Sequence, residues 1–205
     1  MELGRGALDA VLFYQVLLGE LNVHSGSAGA GFSMVLDAAR KTRDRALFQR
    51  AVDIALQARS GDAALQAAQT WKRELPQDKE PNRFILQILL ALNRPDEAGQ
   101  ALTVSLSELP SAELGDAIAS VPRLCAPLQD KNRAVEVVEK ALAKFIVQTP
   151  TAVTAWTTIG RMRRDAGQEN LAIEAALKAR QADKAAPGPI ILGLSLMGSY
   201  NPKLQ

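Results

Sequence analysis

Histidine and cysteine each occur once in 205 residues, as His24 and Cys125, and this scarcity removes most of the chemistry an enzyme would use. One cysteine forms no intramolecular disulfide and no multi-cysteine metal site, and in a helical context it reads as a small buried hydrophobe. One histidine excludes a His-rich zinc site and a Ser-His pairing anywhere else in the chain. It stands before Ser25-Gly26, where the end of a first helix favours a cation-capable side chain. Aromatic residues make up only 4% of the chain and β-branched runs are short, which argues against strands. Uncharged apolar runs of about 18 residues, the length that spans a membrane, are also missing. The segment Ala10 to Leu18 is apolar but short, with Asp9 before it and Glu20 after. Met1 is followed by Glu-Leu-Gly-Arg-Gly, without the basic start and cleavage site of a secretion signal. The expectation is either a cytosolic protein or a sequence that begins after a removed export signal.

What is present is ample material for helices. The chain is 47% hydrophobic and 22% charged, enough to bury a core. Ala and Leu dominate, and both lose little freedom in a helix. Lys plus Arg number 24 against 22 Asp plus Glu, a balance that argues against a nucleic-acid partner.

Gly, Pro, Asn and Asp punctuate the chain regularly. Breaks fall near Ser25-Gly26, Thr42-Arg43-Asp44, Ser60-Gly61-Asp62, Leu75-Pro76, Asn93-Arg94-Pro95, Leu109-Pro110, Gln129-Asp130, Thr149-Pro150, Ala166-Gly167 and Ala186-Pro187. The segments between them have the length of ordinary helices, with apolar residues three and four apart, as in Val135, Val138, Ala141, Leu142 and Phe145. Two kinds of break alternate. Gly26, Gly61, Asn93, Gln129 and Gly167 suit tight turns inside helical hairpins, since Gly and Asn tolerate the left-handed conformation. The others carry Pro or Thr and separate hairpins. The intra-hairpin turns lie 35, 32, 36 and 38 residues apart. A hairpin recurring at that interval is the signature of a solenoid.

Residues Ala155 to Ala179 carry the clearest family pattern. Trp156, Ile159-Gly160, Gly167 at the turn and Ala172, Ala176 and Ala179 beyond it stand where the tetratricopeptide repeat (TPR) places its own, with Arg163 replacing an aromatic. The chain therefore resembles the TPR family. Other units match through Ile85, Leu86, Leu89, Ala98, Leu102 and Pro110, and through Gly61, Ala64, Ala68, Trp71 and Pro76; residues 111–147 match least. The resemblance implies an all-α, right-handed superhelix of about five helical hairpins plus a terminal helix. It would be a single domain over 1–205, with units at 6–42, 44–76, 78–110, 111–148, 151–185 and a first helix at 187–198.

A second resemblance concerns the start. Leu12 to Leu21, Ala38 to Asp44 and Arg50 to Ala55 are similar to the amino-terminal part of proteobacterial TPR lipoproteins of the cell envelope. That group includes an adaptor of a carboxyl-terminal-processing protease. The resemblance implies a periplasmic adaptor, outer-membrane-anchored through a lipid, whose partner is an envelope protease or a cell-wall enzyme. It also makes this chain the amino-terminal part of a longer protein, consistent with Pro189 to Met197 reading as a first helix whose partner is missing.

No catalytic set emerges, and no cofactor or metal is expected. Gly26-Ser27-Ala28-Gly29-Ala30-Gly31 has neither the order of a dinucleotide fingerprint nor a Gly-Lys-Ser/Thr ending, and it follows a helix. It reads as a hairpin turn. Carboxylates sit beside opposite charges at helical spacing, as in Asp37 with Lys41 and Glu136 with Lys140. The expectation is a non-catalytic scaffold or adaptor that binds a protein or peptide. In TPR proteins the first helix of each hairpin lines the concave surface, and the resemblance places Arg83, Gln87 and Leu90, and Thr157, Arg161 and Arg164, on that face. The first unit would offer Phe13, Val16 and Glu20. The places where some TPR domains hold Asn to grip a terminal carboxylate hold Glu20, Gln87 and Arg161, so that recognition is not expected. A structural arm mediating self-association, with homo-oligomer contacts, is the alternative. An enzyme using carboxylates inside a helical toroid is the remaining one.

Overall fold

A computed structural model describes residues 3–147 and 150–199. Among these residues every regular element is a helix, as the sequence predicts, and there are eleven. They divide into two compact units, Met1–Ile88 and Leu89–Gln205. The first holds α1 (Leu3–His24), α2 (Ala28–Thr42), α3 (Arg45–Gln57), α4 (Gly61–Glu74) and most of α5 (Glu80–Ala91). The second holds α6 (Pro95–Ser107), α7 (Ser111–Leu124), α8 (Lys131–Leu142), α9 (Thr151–Asp165), α10 (Glu169–Ala182) and α11 (Pro187–Ser199).

In the first unit, α1 and α2 run antiparallel. Gln15 Nε2 donates to Met34 O and Asp37 Oδ2, both at 2.9 Å, while farther along α1 a Cβ on Gly31 would lie 2.6 Å from Gly19 O. Two helices approach this closely only where glycine removes the side chain. The α3–α4 hairpin is anchored by Trp71, fully buried, with Phe48 stacked on one side at 6.4 Å and Phe84 of α5 tilted against it at 5.9 Å. The indole Nε1 donates to Asp78 at 3.1 Å, so the polar end of the buried ring is satisfied. Glu20 of α1 accepts two bonds from the Arg50 guanidinium of α3, 2.8 and 2.7 Å, tying one hairpin to the next across 30 residues.

The second unit shows that stacking more fully. α9 and α10 are antiparallel: Trp156 meets Lys178, Gly160 meets Ala175, and Arg163 Nη1 donates to Leu171 O. α9 and α11 are parallel, since Thr157 lies against Gly188, Gly160 against Leu192, and Arg164 bonds Ser195. α6 and α8 are likewise parallel, joined by Asp96 with Arg133 and by Ser107 with Lys144, each 37 residues apart. Thr158 Oγ1 donates to Ile118 O across 40 residues between α9 and α7. First helices thus stack on first helices and second on second, as in a repeat array.

Helix ends follow local chemistry. Asp44 accepts from the backbone N–H of Ala46 at 2.7 Å and Asp130 from that of Arg133 at 2.9 Å, both N-caps. Gly26, Asn93 and Gly167 have φ of 88°, 54° and 76°, the left-handed turn residues expected. At the α3–α4 turn that residue is Arg59 (φ 54°), while Gly61 is the first residue of α4. The αL residue must follow directly on the last helical turn, and Gly61 lies two positions too late.

Candidate protein-interaction surfaces

The residues expected on first-helix faces part into three fates. In the first unit Arg83 and Gln87 are exposed on α5, with Arg83 donating to Glu80 at 2.8 Å and its guanidinium 5.1 Å from the Phe84 ring centroid. In the second unit Arg161 is half-buried, and Arg164 donates to Asp165 and, at 3.0 Å, to Ser195 Oγ of α11. Leu90 and Thr157 are not open to a ligand: both are buried, Leu90 at 3% and Thr157 at 6% exposure. Helical spacing puts Thr157 on the side of α9 that receives α11, where Gly188 lies against it. Of the α1 residues, Phe13 is exposed, Val16 is half-buried, and Glu20 is bound to Arg50.

Arg163, which replaces the aromatic of the repeat pattern, is buried between α8 and α10. Its Nη2 donates to Glu139 at 2.6 Å and Nη1 to Leu171 O at 3.2 Å, so a charged pair fills a place where the TPR pattern has a ring. Trp156, the clearest element of that pattern, is only half-buried beneath the Lys178 ammonium, 4.5 Å away. The buried tryptophan is Trp71.

Apolar side chains left open form the larger feature. On α1, Val11, Phe13, Tyr14, Leu17 and Leu21 are exposed along one side of the helix. On α10 and α11, the exposed residues are Leu171, Ile173, Leu177, Ile190, Ile191, Leu194 and Met197. Most of these line a groove of about 550 Å³ between the two helices, which Ala176 and Gly193 also line, with Glu169 in the first turn of α10 and Arg180 in its last. Exposed apolar surface that is gathered instead of scattered marks interaction sites. This groove is not among the faces expected from the sequence, although a signal for it is there. Ala172, Ala175, Ala176 and Ala179 already give α10 a buried face, and Ile173 and Leu177 form a second apolar stripe on another side.

Titratable groups offer structure more than chemistry. Burial pushes the Cys125 thiol up to about 11, against the opposing pull of Lys131. The hydrogen bonds from Arg50 hold the Glu20 carboxyl below its ordinary value, and Lys41 and Gln15 do the same for Asp37. Among the described residues no three His, Cys, Asp or Glu side chains gather as metal ligands, and no helix is long and apolar enough to cross a membrane.

The class these elements define is an all-α array of helical hairpins. No family model matches the chain, and no curated protein matches it. Two of the solved structures that are similar illustrate the likeness. One is PilW, a widely conserved type IV pilus biogenesis factor, at 17% identity over 92% of this chain and 85% of that one, with a TM-score of 0.40. The other is a thermophilic TPR protein of Thermus thermophilus, at 16% identity over 91% of this chain and 98% of that one, with a TM-score of 0.36. At these scores neither likeness bears on the function of this chain.

Proposed function

We propose that this chain is a non-catalytic scaffold that holds a protein partner. The observation that carries this reading is the gathered apolar surface, one patch on α1 in the first unit and one on α10 and α11 in the second. Large apolar side chains in contact with water are costly to display, and an occupant that covers them recovers roughly 25 cal/mol per Å². Polar residues at an interface add specificity more than affinity, and Arg83, Gln87, Arg161 and Arg164, on faces of α5 and α9, are proposed for that role. The resemblance of residues 12–55 to envelope lipoproteins supports a finer reading: a periplasmic adaptor whose client is an envelope protease or cell-wall enzyme.

The test is affinity capture from a bacterial lysate containing solubilised envelope, with the whole chain as bait and two variants beside it, Leu17→Glu/Leu21→Glu and Arg161→Glu. A client retained by the parent chain and lost in at least one variant of unchanged helicity is expected. A client list that is the same for all three baits overturns the assignment of these surfaces, and a purely cytosolic list overturns the envelope reading.

The α1 stripe favours a second reading, self-association of a structural arm. Light scattering decides it: a concentration-dependent dimer that Leu17→Glu/Leu21→Glu dissolves supports an arm, and a monomer at all concentrations removes it.

A further inference from the structure

The second unit contains its own example of how one helix of this chain receives another. α8 lies parallel to α6, one hairpin later. At the start of the pair, Asp96 in the first turn of α6 meets Arg133 in the first turn of α8 at 2.5 Å. In the middle, Val137 sits directly over Gly99, where even a methyl group would collide. At the far end, Lys144 donates to Ser107 Oγ. A charge pair, an apolar centre and a polar pair follow one another along the row.

α10 displays a row of the same kind. Glu169 stands in its first turn, Ile173, Ala176 and Leu177 along its middle, and Arg180 in its last turn. The groove it forms with α11 extends the interface these two helices already share, since Ala176, Leu192 and Leu196 belong to one buried cluster. With 14 and 13 residues, the two helices offer a wall of about 20 Å, the length of another such helix.

We propose that the α10–α11 groove receives an amphipathic helix of a partner protein, lying parallel to α10. Its buried face carries small or branched apolar residues, with a basic residue in its first turn beside Glu169 and an acidic residue in its last turn beside Arg180. This deepens, and rests on, the scaffold reading given above. Direction follows from electrostatics. A helix parallel to α10 sets its positive N-terminal end near Glu169 and its negative C-terminal end near Arg180, and the reverse orientation opposes both charges. A second copy of this chain fits less well: between Ala10 and Leu21 its exposed α1 carries only one charged residue, Glu20, which Arg50 already holds. That stripe supplies neither end pair.

The probe is a fluorescent peptide of residues 130–145, the α8 sequence with Arg133 in its first turn, stapled across Glu136 and Lys140 on its exposed face to hold it helical. A second peptide carries Lys144→Glu to supply the terminal acid. Titrated with the whole chain, both are expected to bind saturably, the Lys144→Glu peptide about threefold tighter, the size of an exposed ion pair. Leu177→Asp, at an exposed position where the fold tolerates it, is expected to weaken both by about tenfold or more at unchanged circular dichroism. Glu169→Arg should weaken the parent peptide, and an Arg133→Glu peptide should recover the loss. No saturable binding, or binding indifferent to Leu177→Asp and to the Glu169 charge swap, overturns the proposal. Self-association of the chain that Leu177→Asp abolishes overturns it in favour of a second copy. If these peptides fail while the parent chain still captures a client through α1 or Arg161, only the groove assignment falls; if capture fails too, the scaffold reading falls with it.

Discussion

Two side chains show how differently burial acts on titratable groups. Cys125 is buried away from water, which disfavours its thiolate form. The folded chain is therefore expected to resist iodoacetamide at pH 8, with labelling that appears only as denaturant opens the second unit; rapid labelling of the native chain would show the thiol to be accessible. Glu20 keeps its charge because Arg50 donates two bonds to it. Its folded form binds protons less readily than its unfolded form, so the stability it contributes is present above its ordinary value of 4.5 and is lost as pH falls toward its lower folded value. Melting temperatures measured from pH 6 to pH 3 should decline more steeply for the parent chain than for Glu20→Gln. Equal slopes would show the pair to be energetically silent. Side-chain fates at this scale were only partly legible in the sequence. Gly26, Asn93 and Gly167 announced their turns because their conformational freedom is intrinsic to the residue. Thr157 and Leu90 misled because which side of a helix meets the next hairpin depends on a stacking register that no single segment encodes.

Close approach of helices depends on what a glycine faces. Gly31 on α2 looks at the backbone oxygen of Gly19 and at Val23, both nearer than a Cβ allows. Gly160 on α9 looks mainly at the tip of the Leu192 side chain, which has rotamers to move into. Gly31→Ala is therefore expected to cost about 1–3 kcal/mol by forcing α1 and α2 apart. Gly160→Ala should cost less, because a gain of up to about 1 kcal/mol in helix propensity offsets the crowding. Denaturant titrations of the two variants compare these directly, and equal losses would refute the distinction. Element positions were the most legible part of the sequence, because hydrophobic spacing and punctuation act locally. The α10 groove was harder to see. An alanine face and an isoleucine–leucine stripe on one helix read as a single apolar pattern until the structure shows which of them is covered.

At the scale of the molecule, the chain separates into two compact units, and each holds one tryptophan: Trp71 in the first and Trp156 in the second. Trp71 reports burial directly, being enclosed by Phe48 and Phe84. In a Trp156→Phe variant, fluorescence follows the first unit alone, while circular dichroism follows both. Repeat arrays unfold as sums of neighbouring parts, so the two transitions are expected to differ in midpoint. Coincident curves would mean that the units melt as one. Trp71→Ala removes a fully buried ring and is expected to cost about 3–5 kcal/mol, lowering the unfolding midpoint of the first unit as circular dichroism reads it.

The stacking of like helices on like has a kinetic side as well. Among the described residues, side-chain bonds such as Glu20 with Arg50, Asp96 with Arg133 and Thr158 with Ile118 join one hairpin to the next over 30 to 40 residues of a chain of 205. Contacts that short in sequence give a low contact order, so a forming hairpin finds its neighbours without closing a long loop. Each added hairpin then lengthens the protein without lengthening the search that folds it.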